Sequence, residues 1–153
     1  MDWFTAENNW LARTLFQRSL AAVYLVAFVV AANQYRALLG EHGLTPVRRF
    51  VERVPFRRSP SLFHFHHSDR AFLVVAWAGA ALSLAAVAGL TDAIPLVAAM
   101  LVWGVLWLLY LSIVNVGQIW YGFGWESLLL ETGFLAVFLG NADTAPPILT
   151  LYL

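Results

Sequence analysis

The stretch Ala71 to Leu90 runs for twenty residues without one charged side chain. A helix needs about 20 predominantly apolar residues to cross the hydrocarbon of a bilayer. Inside that layer the backbone finds no water, so a spanning segment must pair its own polar groups. The stretch therefore reads as a transmembrane helix. The whole chain supports this: it is 61% hydrophobic and 12% charged, where soluble domains run at about 45–50% and about 25%. Pro95 to Val114 is a second clear span. Only a short connection at Thr91-Asp92 separates the two, which predicts antiparallel neighbours. Gly79 and Ser83 sit at small-xxx-small spacing, where helix backbones can approach.

Leu20 to Ala32 is also wholly apolar. Alone it is short for a span. Extended through Leu39 it admits Asn33, Gln34 and Arg36 near one end, where Arg can reach the headgroups. The core length, with Val30-x-Ala32, also suits a secretory signal peptide. Against that stands the acidic, aromatic-rich opening segment, with Asp2, Trp3, Phe4, Glu7 and Trp10. Leu11, Leu15 and Phe16 there fit one face of a short interfacial helix.

Most of the charge lies between Gly40 and Arg70. Thr45-Pro46 reads as a helix start, with Thr as N-cap and Pro at the first position. Val47, Phe50, Val51 and Val54 follow at i, i+3, i+4 and i+7. Arg48, Arg49, Glu52 and Arg53 fill the other side. This is a basic amphipathic helix near 46–54, expected at the membrane surface or against a partner, or else simply covering the bundle. Pro55 and Pro60 stop it. His64, His66 and His67 lack the spacing of a structural zinc site, so no metal is expected. Ser68 suits the N-cap of the next helix, with Asp69 in its first turn.

Asn115 to Gly140 holds two carboxylates, Glu126 and Glu131, in an otherwise apolar and aromatic run. Ser112, Asn115 and Gln118 step by three towards it. Amides there bond across helices or close a broken helix end. Gly117, Gly122 and Gly124 among Trp120, Tyr121, Phe123 and Trp125 suggest a tight turn at the interface. Residues 126–140 then form a fourth membrane helix, spanning or re-entrant. Glu126 sits in its first turn, where the helix dipole favours an anion. Glu131 is deeper. An unpaired charge at the centre of a membrane helix costs about 2.5–3.5 kcal/mol even on the lenient scale. Glu131 is therefore expected to face the bundle and bond Asn115, Gln118 or Arg36, and Glu126 to be shallower and less sensitive.

Several function classes are excluded or disfavoured. The chain has no cysteine, so thiolate and disulfide chemistry are absent. Its formal net charge is zero, which gives no bulk attraction to nucleic acid. No catalytic acid–base pair stands at a persuasive spacing, and no cofactor motif is present. All nine Lys+Arg positions are arginine, a usage that fits a GC-rich bacterial genome.

Certain blocks are specific enough to place the chain. They are GLTPV at Gly43 to Val47, PSLF at Pro60 to Phe63, SD at Ser68-Asp69, LYLSIVNVGQ at Leu109 to Gln118, and GWESLLLETGFLAVFL at Gly124 to Leu139. On these the chain resembles the lipase maturation factor family of polytopic membrane proteins. It is similar, more distantly, to the membrane part of vitamin K-dependent carboxylase. The resemblance implies a non-enzymatic membrane factor that helps exported lipase-like proteins reach an active fold. The alternatives are a carboxylase-like enzyme using Glu131 or a loop His for proton transfer, and a scaffold subunit. It also implies a cytosolic N-terminus with the 40–70 loop on the lumenal or external side. The six arginines of that loop argue the reverse by the positive-inside rule.

The expectation is thus one all-α domain, 1–153: a polytopic transmembrane bundle with helices near 19–39, 71–90, 95–115 and 126–140. It lies in a bacterial plasma membrane, or in the endoplasmic reticulum membrane if eukaryotic. Its expected partners are the lipid bilayer and exported lipase-like clients. Ile148 to Leu153 reads as a further apolar segment cut short, and the family's C-terminal portion as missing. The residues expected to matter are Glu131, Glu126, Asn115, Gln118, Trp125, Arg48, Arg49 and Arg53.

Overall fold

The computed structural model describes residues 10–140, and among these there is no strand. The expected roles of Trp3 and Phe4 at the interface, the turn at Asn141 to Pro147 and the segment from Ile148 lie outside the described residues. Six α-helices follow in order: α1 Trp10–Leu38, α2 Val47–Arg53, α3 Asp69–Val87, α4 Leu90–Ala93, α5 Leu96–Val116 and α6 Gly124–Val137. Short 3-10 turns occupy Leu62–His64 and Gln118–Tyr121. Three helices are long and apolar enough to cross a membrane: Leu11–Leu38, Asp69–Val87 and Leu96–Val116. The fourth expected membrane helix, α6, has 14 residues and is about 21 Å long at 1.5 Å per residue. It falls short of the roughly 30 Å hydrocarbon layer.

The long helices alternate in direction. Tyr35 near the end of α1 stacks on Phe72 near the start of α3, with ring centroids 3.6 Å apart. At the other end Arg18 of α1 meets Asp92 beyond α3 at 3.2 Å. Helix α6 returns along α5 and α1: Trp107 touches Phe134 at a centroid distance of 5.5 Å, and Gln17 donates to the carbonyl of Gly140 at 2.7 Å. The bundle therefore has a loop end, carrying residues 39–68 and 117–124, and an opposite end near Gln17, Asp92 and Gly140.

Packing along the α1–α3 seam is tight. A Cβ at Gly79 would sit 2.4 Å from the Phe28 ring, so only glycine allows the ring to lie flat on the helix. Ser83 turns its hydroxyl back to the Gly79 carbonyl at 2.8 Å and stays buried. The expected small-residue contact is thus present at that spacing. Tyr24, Phe28, Trp103 and Tyr110 form the aromatic heart of the core, all buried. Their edge-to-face contacts, such as Tyr24 on Tyr110 at 5.5 Å, match the geometry that ring quadrupoles favour.

Two local expectations change, and for α2 the bundle-covering alternative holds. The segment with Leu11, Leu15 and Phe16 is no separate helix; it is the first turns of α1, with those side chains exposed. Thr45 does not cap α2. Its hydroxyl donates to the Leu38 carbonyl and accepts from the Trp120 indole instead, and Pro46 stands at the cap position with no side-chain bond. Helix α2 also turns its apolar side inward: Val47 is buried, and Phe50 and Val51 are half-buried against the core. That side is spent on the bundle, so only the arginine face is presented outward. Ser68 does cap α3, accepting from the Ala71 amide at 3.2 Å.

Candidate functional site

The loop end is assembled by the polar stripe at the end of α5. Ser61 donates to the Ser112 carbonyl at 2.8 Å, and the Leu62 amide donates to the Ser112 hydroxyl. Asn115 donates to the Pro60 carbonyl at 2.6 Å and accepts from Ser59 at its own carbonyl. Gln118 donates to the Thr45 carbonyl at 2.9 Å. Asn115 and Gln118 therefore clamp the 45–61 loop onto the helix end. They are not the partners of Glu131.

Beyond Val116 the helix breaks. At Gly117 an added Cβ would meet the Tyr121 side chain at 2.5 Å, so the ring can fold back only over glycine. Gln118 takes a φ of 52°, a left-handed conformation uncommon for a residue with a Cβ. Its amide bond to Thr45 helps to hold it there. The turn then carries Trp120, Tyr121 and Phe123 across the bundle end, and α6 begins at Gly124.

Glu126 in the first turn of α6 is buried, 8% exposed, and accepts the Tyr110 hydroxyl proton. It lies outside the three spanning helices. Burial pushes its carboxyl above the usual range, while the Tyr110 hydrogen bond opposes this. Tyr121 is pushed up to about 12, chiefly by burial and secondarily by the Glu126 charge. Glu131 behaves in the opposite way to its expectation. It is exposed and makes no hydrogen bond to another described residue. The two carboxylates exchange roles: the first-turn Glu126 is the buried, partnered one.

A cleft of about 890 Å³ opens between α1 and α6. Val23, Val26 and Val30 form one wall, and Leu128 and Leu129 the other. Tyr110 and Glu126 also line it, and Trp120, Tyr121, Phe123 and Trp125 stand over its loop end. Trp125 is 69% exposed at this rim, edge-on to Phe123. Tyr24 runs behind the cleft, where its hydroxyl donates to the Leu129 carbonyl at 3.3 Å. A Cβ at Gly133 would collide with that hydroxyl.

Arg48, Arg49 and Arg53 stand elsewhere, on the exposed face of α2. Arg48 pairs with Glu52 at 3.1 Å. Arg48 and Arg49 border a separate groove of about 610 Å³ with His66 and His67. Among the described residues no three His, Asp or Glu side chains gather as a metal site. His64 instead bonds the Val54 carbonyl at 2.9 Å. Sequence reasoning missed Tyr110 and Tyr121 as site residues. The available signal was that a buried acid needs a donor, and Tyr110 lies two residues before Ser112, where the polar stripe begins.

Three spanning helices, a loop end tied down by amides and a mostly apolar cleft beside them define an all-helical integral membrane protein. The description "lipase maturation factor transmembrane domain" matches residues 11–153. The chain is 41% identical to lipase maturation factor 1 of Mus musculus over 138 residues, covering 85% of this chain and 24% of that protein. It is 42% identical to lipase maturation factor 1 of Bos taurus over 142 residues, covering 88% and 25%. It is 39% identical to lipase maturation factor 2 of Xenopus tropicalis over 140 residues, covering 83% and 19%. The chain belongs to the lipase maturation factor family, and it spans about a quarter or less of the length of these relatives. No solved structure matches it. The bacterial reading rests on arginine usage alone, and these vertebrate relatives lend it no support.

Proposed function

We propose that the chain acts as a membrane-embedded maturation or assembly factor for exported lipase-like proteins. The observation that carries this is family membership over nearly the whole chain, from residue 11 onward. The loop end offers a surface suited to a client. Phe56 and Phe65 are exposed there with their rings 5.5 Å apart, and Arg57 and Arg58 follow Phe56 in sequence. Exposed apolar groups rimmed by polar ones commonly mark interaction sites. The carboxylase-like reading loses its basis in Glu131, which stands exposed and without a hydrogen-bond partner among the described residues rather than poised beside a reacting group.

On this reading the 40–70 loop faces the lumen or the exterior, where exported clients fold. The membrane is the endoplasmic reticulum membrane in a eukaryote, which the vertebrate relatives favour, or the plasma membrane in a bacterium, which the arginine usage favours. A reporter fused after Ser59 tests the orientation: a reporter active in the cytoplasm refutes it. The function is tested by co-expressing a secreted lipase with and without the chain. The expected result is more lipase activity per secreted lipase molecule when the chain is present. Unchanged specific activity, with the chain folded in the membrane, would refute the proposal.

A further inference from the structure

We propose that the cleft between α1 and α6 binds a neutral acyl lipid with a hydroxyl-bearing head, of the monoacylglycerol kind. This is independent of the client-maturation reading. The argument starts from how polarity is distributed along the cleft. Gln34 near the end of α1, Tyr110 near the end of α5, Tyr121 in the turn and Glu126 at the start of α6 all line it at the loop end. Towards the other end the walls are Leu20, Val23, Val26, Leu128 and Leu129. Thr132 lies among these, but its hydroxyl is spent on the Leu128 carbonyl at 2.7 Å. The cleft is thus amphipathic in one direction, polar at the loop end and apolar below, as a lipid is.

Its apolar length also fits. The apolar lining on α1 runs from Leu20 to Val30, ten residues that rise about 15 Å, or about half of the roughly 30 Å hydrocarbon thickness, the depth that one acyl chain occupies. Gln17 ties α1 to the Gly140 carbonyl one turn below Leu20, and Trp120, Tyr121 and Phe123 line the loop end.

Charge selects the head. Among the described residues no Arg, Lys or His lines the cleft, and one carboxyl does. An anionic head there would find no cation and would face Glu126, a like-charge juxtaposition that disfavours binding. A hydroxyl head finds partners instead. Gln34 and Tyr121 make no hydrogen bond to another described residue, and the Glu126 carboxyl has acceptor capacity beyond its Tyr110 bond. Precisely placed polar groups at one end of an apolar pocket are the usual way a site orients its ligand.

The test uses the full chain in phosphatidylcholine vesicles with a diazirine-tagged monoacylglycerol. A diazirine-tagged phosphatidylserine serves as the anionic comparison, and crosslinks are mapped by mass spectrometry. The proposal expects monoacylglycerol label concentrated on residues 23–30 and 128–132, displaced by excess untagged monoacylglycerol. It expects severalfold less label there in Val26→Trp, with label on the exposed Val97 and Leu101 of α5 unchanged. Should Val26→Trp fail to fold, Gln34→Leu, at an exposed position, is expected to lower cleft label while leaving α5 label intact. Equal cleft labelling by the anionic probe overturns the choice of head. Label spread evenly over α5 and the cleft, without displacement, shows bulk lipid only and overturns the site. A cleft shielded from both probes shows that protein fills it, and overturns the proposal as well.

Discussion

Helix α1 faces α3 on one side and α6 on another, and the two sides are built in opposite ways. Towards α3 it lays the Phe28 ring on Gly79, stacks Tyr35 on Phe72, and leaves no room for a Cβ between them. Towards α6 it offers Val23, Val26 and Val30, which face Leu128 and Leu129 across an open cleft. Apolar character is the same on both sides. Lipid tails are as apolar as leucine, so in a membrane hydrophobicity alone does not close a seam; shape and hydrogen bonds do. The α3 side has a glycine and a small-residue stripe at the contact. The α6 side has one glycine at the contact, Gly133, its space filled by the Tyr24 hydroxyl, and branched or long side chains along the cleft. One seam is therefore structural, and the other remains available to a ligand.

The largest expected effect breaks the closed seam. Gly79→Leu drives a side chain into the Phe28 ring, and overpacking of this kind costs about 1–3 kcal/mol, occasionally more. Thermal unfolding in detergent should drop by several degrees. Gly104→Leu is the matched control, because nothing lies within 4 Å of a Cβ there; its Tm should hold. Equal effects from both would mean that the α1–α3 contact is not close-packed.

A second comparison sets the two acids of α6 against each other. Glu126→Leu strips the buried Tyr110 hydroxyl of its acceptor, a loss of about 1–3 kcal/mol. Glu126→Gln keeps an acceptor and should lose less. Glu131→Leu, at an exposed position without a partner among the described residues, should stay within about 0.5 kcal/mol. Chemical or thermal unfolding ranks the three, and a larger loss at Glu131 would reverse the assignment of the site.

A smaller, local loss is expected at the clamp. Asn115→Ala removes the bond to Pro60 and should ease local opening of the loop by about 1 kcal/mol. It should show as faster tryptic cleavage of the 45–61 loop at Arg57 and Arg58, both exposed, with the overall Tm nearly unchanged. An unaltered cleavage rate would mean that the loop is held elsewhere.

The helices were legible because a span is a matter of local length and polarity. Residues 71–90 and 95–115 foretold α3 and α5 to within a few residues, and the cap was readable from Ser68 and Asp69 just before the apolar run. The depth of an acid along α6 was readable too; its rotation about the helix axis was not. Five residues separate Glu126 from Glu131, which places them about 140° apart around an α-helix at 100° per residue. Once Glu126 turns towards Tyr110, Glu131 must turn away. That choice is made by the 117–123 turn, through Gly117 under Tyr121 and the left-handed Gln118. No periodicity encodes such a turn. Helix α2 shows the same limit: its amphipathic pattern specified an apolar face but not whether lipid or the bundle would receive it.

The contrast between the two seams has one direct measurement, which the absence of native cysteine makes clean. Single-cysteine variants at Val26 and Ala80 are spin-labelled in vesicles, and mobility and collision with lipid-soluble oxygen are read by electron paramagnetic resonance. Val26 is 62% exposed and lines the cleft, while Ala80 is 3% exposed in the core cluster. The account predicts a mobile, oxygen-accessible label at Val26 and an immobilised, oxygen-shielded one at Ala80. Equal immobilisation and equal shielding at both positions would contradict it.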